Sequence, residues 1–177
     1  MKKGVTITIV IALLAALLLY FYGRLGGFNS VEISVESCED RKLMGMHFKG
    51  TPQSNELPLT FKRVSNFKKE TSKTGLYTIY YTEPAGKLDT LHLFVGVEAV
   101  SGDVLPHDLE LVSIPCEQMI LAKVSSHRLV MPSPKKVRQK IQAFATKNNL
   151  ELKGEFMDKI LDEKNVEVLA PLSPTKR

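Results

Sequence analysis

Few side chains in this chain can do chemistry: two cysteines, four histidines and a handful of tyrosines among 177 residues. Cys38 and Cys116 are too few for a disulfide scaffold or a zinc site; they are read as buried thiols or as one bridge, with two free thiols expected. Cys116, in "SIPCEQ", follows a proline at the end of an apolar run and has no evident base beside it, so no thiol nucleophile is assigned. No nucleophile elbow, metal-ligand pair or triad spacing stands out, and neither a metal nor a cofactor is expected. More suggestive is Glu167 in "NVEVLAPL", an acid inside an otherwise apolar alternating run. Such a carboxylate either faces water or is costly to bury without a partner. Tyr77, Tyr80 and Tyr81 can wall a pocket, although β-propensity alone places tyrosines in a strand. Met44, Met46 and Met119 can line one adaptably, although core filling explains them too.

The elements that must position these residues come in a repeated order. "VEISVES", from Val31, alternates apolar and polar residues as a half-buried strand does. "RKLMGMHFKG" continues as a second strand, with Gly45 read as a bulge. In "NELPLTFKRVSNFKKE" the period changes: Leu57, Phe61, Val64 and Phe67 make the stripe of a helix capped by Asn55, with Pro58 in its first turn. "GLYTIYYTEP" and "DTLHLFVGVEA" follow as two strands about a turn containing Pro84 and Gly86. Past "SGDVLPHD" the order recurs. "LELVSIP" and "EQMILAKVSS" are strands, and "SPKKVRQKIQAFATKNN" is a helix with Ser133 as N-cap, Pro134 at N1 and Val137, Ile141, Phe144 and Ala145 as its buried stripe. "GEFMDKILDE" and "NVEVLAPL" close as a hairpin, and the tail Ser173–Arg177 is expected to be loose. The expected class is therefore α+β: duplicated strand-strand-helix-strand-strand halves, placed about a pseudo-twofold, forming an antiparallel sheet with both helices on one face. The opposite face is expected to form a groove along the junction, which one half alone cannot build.

Before the first strand, Gly4 to Gly23 carries no charge and is flanked by Lys2, Lys3 and Arg24. About 20 such residues span a bilayer as a helix. The bulky end Tyr20-Phe21-Tyr22 suits an interfacial belt better than a cleavage site, so an uncleaved anchor is expected over residues 1–27, linker included. The slight excess of positive charge before it places the domain outside the cytosol. "GRLGGFNS" is read as a flexible link. The net charge of +5 falls to near +2 without Lys2, Lys3 and Arg24, and no basic run interleaves with aromatics, so no nucleic-acid partner is expected.

The duplicated order, with "SIPCEQMILAKV", a Pro-started helix and a closing "VEVLAPL", resembles the GyrI-like small-molecule-binding domain over residues 28–172. The anchor and "GLYTIYYTEP...LHLFVGVEA" are most similar in layout to the family's membrane-anchored branch, which includes a testis-expressed ER-phagy receptor. The chain ends at Arg177, five residues past Leu172, and the autophagy role carried by that branch's acidic tail is not expected here. The resemblance implies a non-enzymatic module that binds a small amphipathic or cationic molecule, or a peptide, between its halves. In the drug-binding relatives a glutamate on the closing strand meets the ligand's cation, a role that falls here on Glu167. Strand alternation then turns Val166, Val168 and Ala170 to the helices and Glu167 and Leu169 to the groove. Aligning "LHLFVGV" on "VEVLAPL" sets His92 opposite Glu167, followed by Phe94, so the expected ligand-binding residues are Glu167, His92, Phe94, Leu169, Tyr80 and Tyr81. Two alternatives differ in class. Some relatives hydrolyse reactive ring compounds, which would make Glu167 a general acid or base; or the domain is a scaffold that holds a protein partner at the membrane. Haem, a ligand on a related fold, is set aside because no histidine has a supporting pattern.

Overall fold

After residue 30 the apolar period switches between two and about 3.6, and each stretch becomes the element its period dictates. In this computed structural model residues 2–82, 86 and 88–173 are described. The N-terminal helix α1 (Lys2–Arg24) precedes β1 (Glu32–Ser37), β2 (Arg41–Gly50), α2 (Glu56–Glu70), β3 (Leu76–Thr82) and β4 (Leu91–Glu98). The second half runs β5 (Glu110–Ile114), β6 (Gln118–Ser125), α3 (Pro134–Lys147), β7 (Phe156–Ile160) and β8 (Asn165–Pro171). The expected turn at Pro84 and the expected loose tail beyond Ser173 lie outside the described residues.

All eight strands form one antiparallel sheet in the order β1-β6-β8-β7-β3-β4-β2-β5. That order reads the same when the halves are exchanged, and the β3–β7 ladder, centred on Thr78 opposite Asp158, is the seam. Each half lends its first strand to the other: β1 pairs with β6, and β5 with β2. The β1–β2 connection is only Cys38–Asp40, yet the two strands stand six ladders apart. In a flat sheet they would lie about 29 Å apart, whereas the connection reaches about 14 Å at most. The sheet must therefore curl, and the β5–β6 connection, equally short, imposes the same curl from the other side. A disulfide joins Cys38 to Cys116 where the two connections meet, so the expectation of free thiols is corrected.

Curling turns one face inward. Leu43, Tyr77, Ile79, Phe94, Met119, Leu121, Met157 and Leu169 pack there beneath Ile114 and Cys116. Gly45, read as a bulge, is in regular register opposite Gly96. A Cβ on Gly45 would come within 2.7 Å of the Phe94 ring, and one on Gly96 within 2.5 Å, so the missing side chains seat that ring. The real irregularity lies between Tyr80 and Thr82, where the extra residue re-aims Tyr81.

The outer face carries α2 and α3. Val64 and Phe67 cover Met44, Phe48, Leu93 and Val95, while Val137, Ile141 and Ala145 cover Ile120, Ala122, Val168 and Ala170. Asn55 makes no side-chain cap; Ser54 Oγ accepts from Glu56 N–H instead, at 3.2 Å. The glycine-rich link is folded rather than loose. Leu25 O accepts from His127 N–H (2.8 Å), and Asn29 donates to Ser125 O (2.6 Å).

Candidate functional site

The ladders decide which residues the pseudo-twofold brings into correspondence. Thr78 and Asp158 are each other's counterparts, and they face Val95 and Val168 respectively. Val95 therefore corresponds to Val168, and Phe94, not His92, is the counterpart of Glu167. His92 corresponds to Asn165, so the expected alignment was two residues out. Val166, Val168 and Ala170 do pack toward α3, with Glu167 and Leu169 on the other face.

That inner face is packed in part and hollow in part. Phe94 and Leu169 are buried in its packing, at 0% and 1% exposure. Glu167 stands between Lys123 and Lys159 on neighbouring strands, and Lys159 Nζ lies 3.4 Å from its carboxylate and 5.5 Å from the centre of the Tyr77 ring. A protein cation already answers this acid, which borders a hollow of about 470 Å³ edged by Asn29, Lys123 and Asn165. His92 is three strands away from it, in a cluster with His47 (5.6 Å between ring centres) and Tyr81 (4.8 Å). Burial, then the neighbouring His47 and Lys49, depress the His92 imidazole below its usual range. Tyr81 also edges a cavity of about 430 Å³ with Ile79, Ile114 and Met157. The structure thus brings His92, Phe94 and Tyr81 together through His47, and leaves Glu167 apart from them.

Tyr80 turns to the helix side, where the seam holds a different constellation. A cavity of about 230 Å³ lies over β3 and β7 between the helices. Phe61 of α2, Val137 of α3, Met131, Tyr80 and Val168 give it apolar walls, and Thr78 and Asp158 give it a polar floor. Thr78 and Asp158 are buried, at 2% and 8% exposure. Thr78 Oγ1 and Asp158 Oδ1 have no hydrogen-bond partner among the described residues. The other carboxylate oxygen, Oδ2, lies 3.7 Å from Nη2 of Arg138, itself buried on α3. The guanidinium carbon of Arg138 lies 4.9 Å from the Tyr80 ring centre and 5.3 Å from that of Phe156. Burial raises the Asp158 carboxyl above the usual range, and Arg138 only partly offsets this. The Tyr80 phenol is likewise raised, by burial first and by Asp158 second.

The sequence carried a faint signal for this site. Phe156, Asp158 and Ile160 alternate onto one face of a short strand, so an acid interrupts an apolar stripe. Arg138 sits three residues before Ile141 and seven before Ala145, within the buried face of α3. Neither residue stands out alone, because lone charges on short elements usually face water. Reading the two stripes against each other would have paired them.

No protein-family model matches the chain, and no curated protein sequence matches it. Solved structures do share its fold. A hydrolase from Listeria innocua superposes with a TM-score of 0.61 at 8% identity, covering 86% of this chain and 98% of its own. The C-terminal domain of EcmrR matches with a TM-score of 0.59 at 11% identity, covering 82% of this chain and 99% of that domain. SAV2435, solved bound to tetraphenylphosphonium, matches with a TM-score of 0.53 at 12% identity, covering 80% and 94%.

Proposed function

We propose that this chain is a membrane-tethered, GyrI-like binding module that takes a small, mostly apolar molecule into the helix-side cavity at the seam. The observation that carries the reading is a pair of polar residues under apolar walls: Thr78 and Asp158 stand opposite each other in the seam ladder and line the cavity, and Thr78 Oγ1 and Asp158 Oδ1 are buried with no partner among the described residues. Buried polar atoms are normally satisfied, and leaving them unpaired is costly. A ligand hydroxyl answers both, donating to the carboxylate and accepting from the threonine. The sheet with its paired helices is the fold on which SAV2435 was solved with a small organic cation, which gives the reading a precedent in shape. Among the residues expected to bind, Tyr80 lines this cavity; Glu167 is set aside because Lys159 already neutralises it.

The tether is α1, one helix long and apolar enough to cross a membrane. Its large apolar side chains from Ile7 to Phe21 stand exposed on the helix, and a bilayer would cover them. The Cys38–Cys116 bridge belongs in an oxidising compartment. Together with Lys2 and Lys3 ahead of the helix, it argues for a domain outside the cytosol.

The test is methyl NMR on the full chain in lipid nanodiscs, following Val137 and Val168, with 2-phenylethanol and its hydroxyl-free analogue ethylbenzene as probes. The alcohol is expected to saturate these shifts and to bind about tenfold more tightly than ethylbenzene, as one buried hydrogen bond implies. Thr78→Val, which leaves only the bond to Asp158, should narrow that difference. Absence of saturable shifts with the alcohol, or equal affinity for both probes in the wild type, would sink the reading. A raised carboxyl in an apolar cavity also suits general-acid chemistry. Turnover of a reactive ring compound that disappears in Asp158→Asn would move the chain to the hydrolase reading.

A further inference from the structure

We infer that Arg138, pairing from an adjoining hollow with the carboxylate that lines the cavity, acts as a built-in substitute cation, so that the folded protein refuses organic cations there and would accept them once the guanidinium is removed. The inference rests on the cavity assigned above as the binding site and names which ligands that cavity admits.

Protein sites that capture organic cations set aromatic faces and a carboxylate around the charge. Here such surroundings lie beside the cavity, in a neighbouring hollow lined by Tyr80, Arg138 and Phe156, and the guanidinium already fills them. Two rings, Tyr80 and Phe156, lie under the guanidinium at 4.9 and 5.3 Å, and the Asp158 carboxylate lies 3.7 Å away. Arg138 and Asp158 are each about nine-tenths buried, so the charges are removed from water and weakly screened. The arrangement also draws on both halves. Tyr80 comes from β3 of the first, while Phe156, Asp158 and Arg138 come from β7 and α3 of the second.

The ion pair engages only one carboxylate oxygen. Arg138 approaches Oδ2, while Oδ1 has no partner among the described residues and Asp158 lines the cavity with Thr78. A neutral hydroxyl can use Oδ1 while Arg138 stays in place. An ammonium cannot do so cheaply, because it would lie beside the guanidinium in a low-dielectric space and share one carboxylate with it. Arg138 therefore determines specificity by like-charge exclusion. It selects neutral hydrogen-bonding molecules over cations of the same shape.

The experiment compares 2-phenylethanol with 2-phenylethylammonium, which share a skeleton and differ in charge. The readout is methyl NMR at Val137 and Val168 of the full chain in nanodiscs. Wild type is expected to bind the ammonium about tenfold or more weakly than the alcohol. In Arg138→Met the ammonium should gain about tenfold or more, with the alcohol changed less than about threefold. The double variant Arg138→Met/Asp158→Asn should lose that gain. Equal ammonium affinity in wild type and Arg138→Met, or a gain that survives in the double variant, would overturn the inference. Should Arg138→Met fail to fold, Arg138→Lys decides: it keeps the charge and is expected to exclude the ammonium as wild type does, and admission of the ammonium overturns the inference. The two readings fail separately. No alcohol binding in wild type removes the proposed function, whereas the ammonium gain in Arg138→Met speaks only to the substitute cation.

Discussion

Asp158 is the residue at which burial and charge are most at odds, and its titration gives that conflict a measurable form. Its folded carboxyl sits above the ordinary value of 3.8 because burial disfavours the anion more than Arg138 restores it. A folded state that holds its proton more tightly than the unfolded chain is favoured at low pH. The contribution is complete below about the unfolded value and fades as pH rises through the folded one. Wild type should therefore lose stability relative to Asp158→Asn as pH climbs from near 4, read as a fall in the wild-type melting temperature minus that of the variant. Parallel curves would mean that the carboxyl does not titrate differently on folding. The absolute level of Asp158→Asn is a separate matter, since it strands the Arg138 charge. At this scale the sequence was least readable. An acid in an apolar closing strand reads as a ligand contact, yet Glu167 has lysines directly opposite on both sides, and only pairing across strands discloses that. His92 was matched to it by counting along two similar strings, where a shift of two residues keeps the same face and leaves no trace in the pattern.

Helices and strands were far more legible, because each announces itself by its period. The stripes through Val64 and Phe67 and through Val137, Ile141 and Ala145 lie buried as read. The connections were not legible, since three residues between strands say nothing of where those strands pair. Crossing connections are what make the disulfide geometrically available, and two cysteines with a sequence separation of 78 give no local hint of it. Closing so long a loop limits the unfolded chain by about 4.5 kcal/mol in the chain-entropy estimate. Reduction, or Cys38→Ser with Cys116→Ser, should lower the melting temperature by on the order of 10 °C. An unchanged midpoint with and without reductant would show that packing under Ile114 suffices alone.

For the molecule as a whole, the two-fold plan explains why one domain has two unlike faces at its seam. Inside the curl, the counterparts Phe94 and Glu167 have diverged into a packed ring and a surface ion pair. On the helix side, the counterparts Thr78 and Asp158 remain adjacent and share one cavity. The duplicated order was readable from the chain, whereas the divergence that packed Phe94 and Leu169 into the inner face needed the structure. The proposed tether belongs to this scale too. With α1 in place the chain should stay in the membrane fraction through alkaline carbonate washing, and removal of residues 1–24 should release it. A full-length chain that washes off would exclude a spanning α1.

The exchange of β1 and β5 has a consequence for how this architecture can be taken apart or could have arisen. A lone first half would keep β2, β3 and β4 but carry β1 with nothing to lie against, and would show a bare border where β5 belongs. A second copy of that half would meet both needs at once. The fused protein thus has the form of an intertwined dimer written on a single thread.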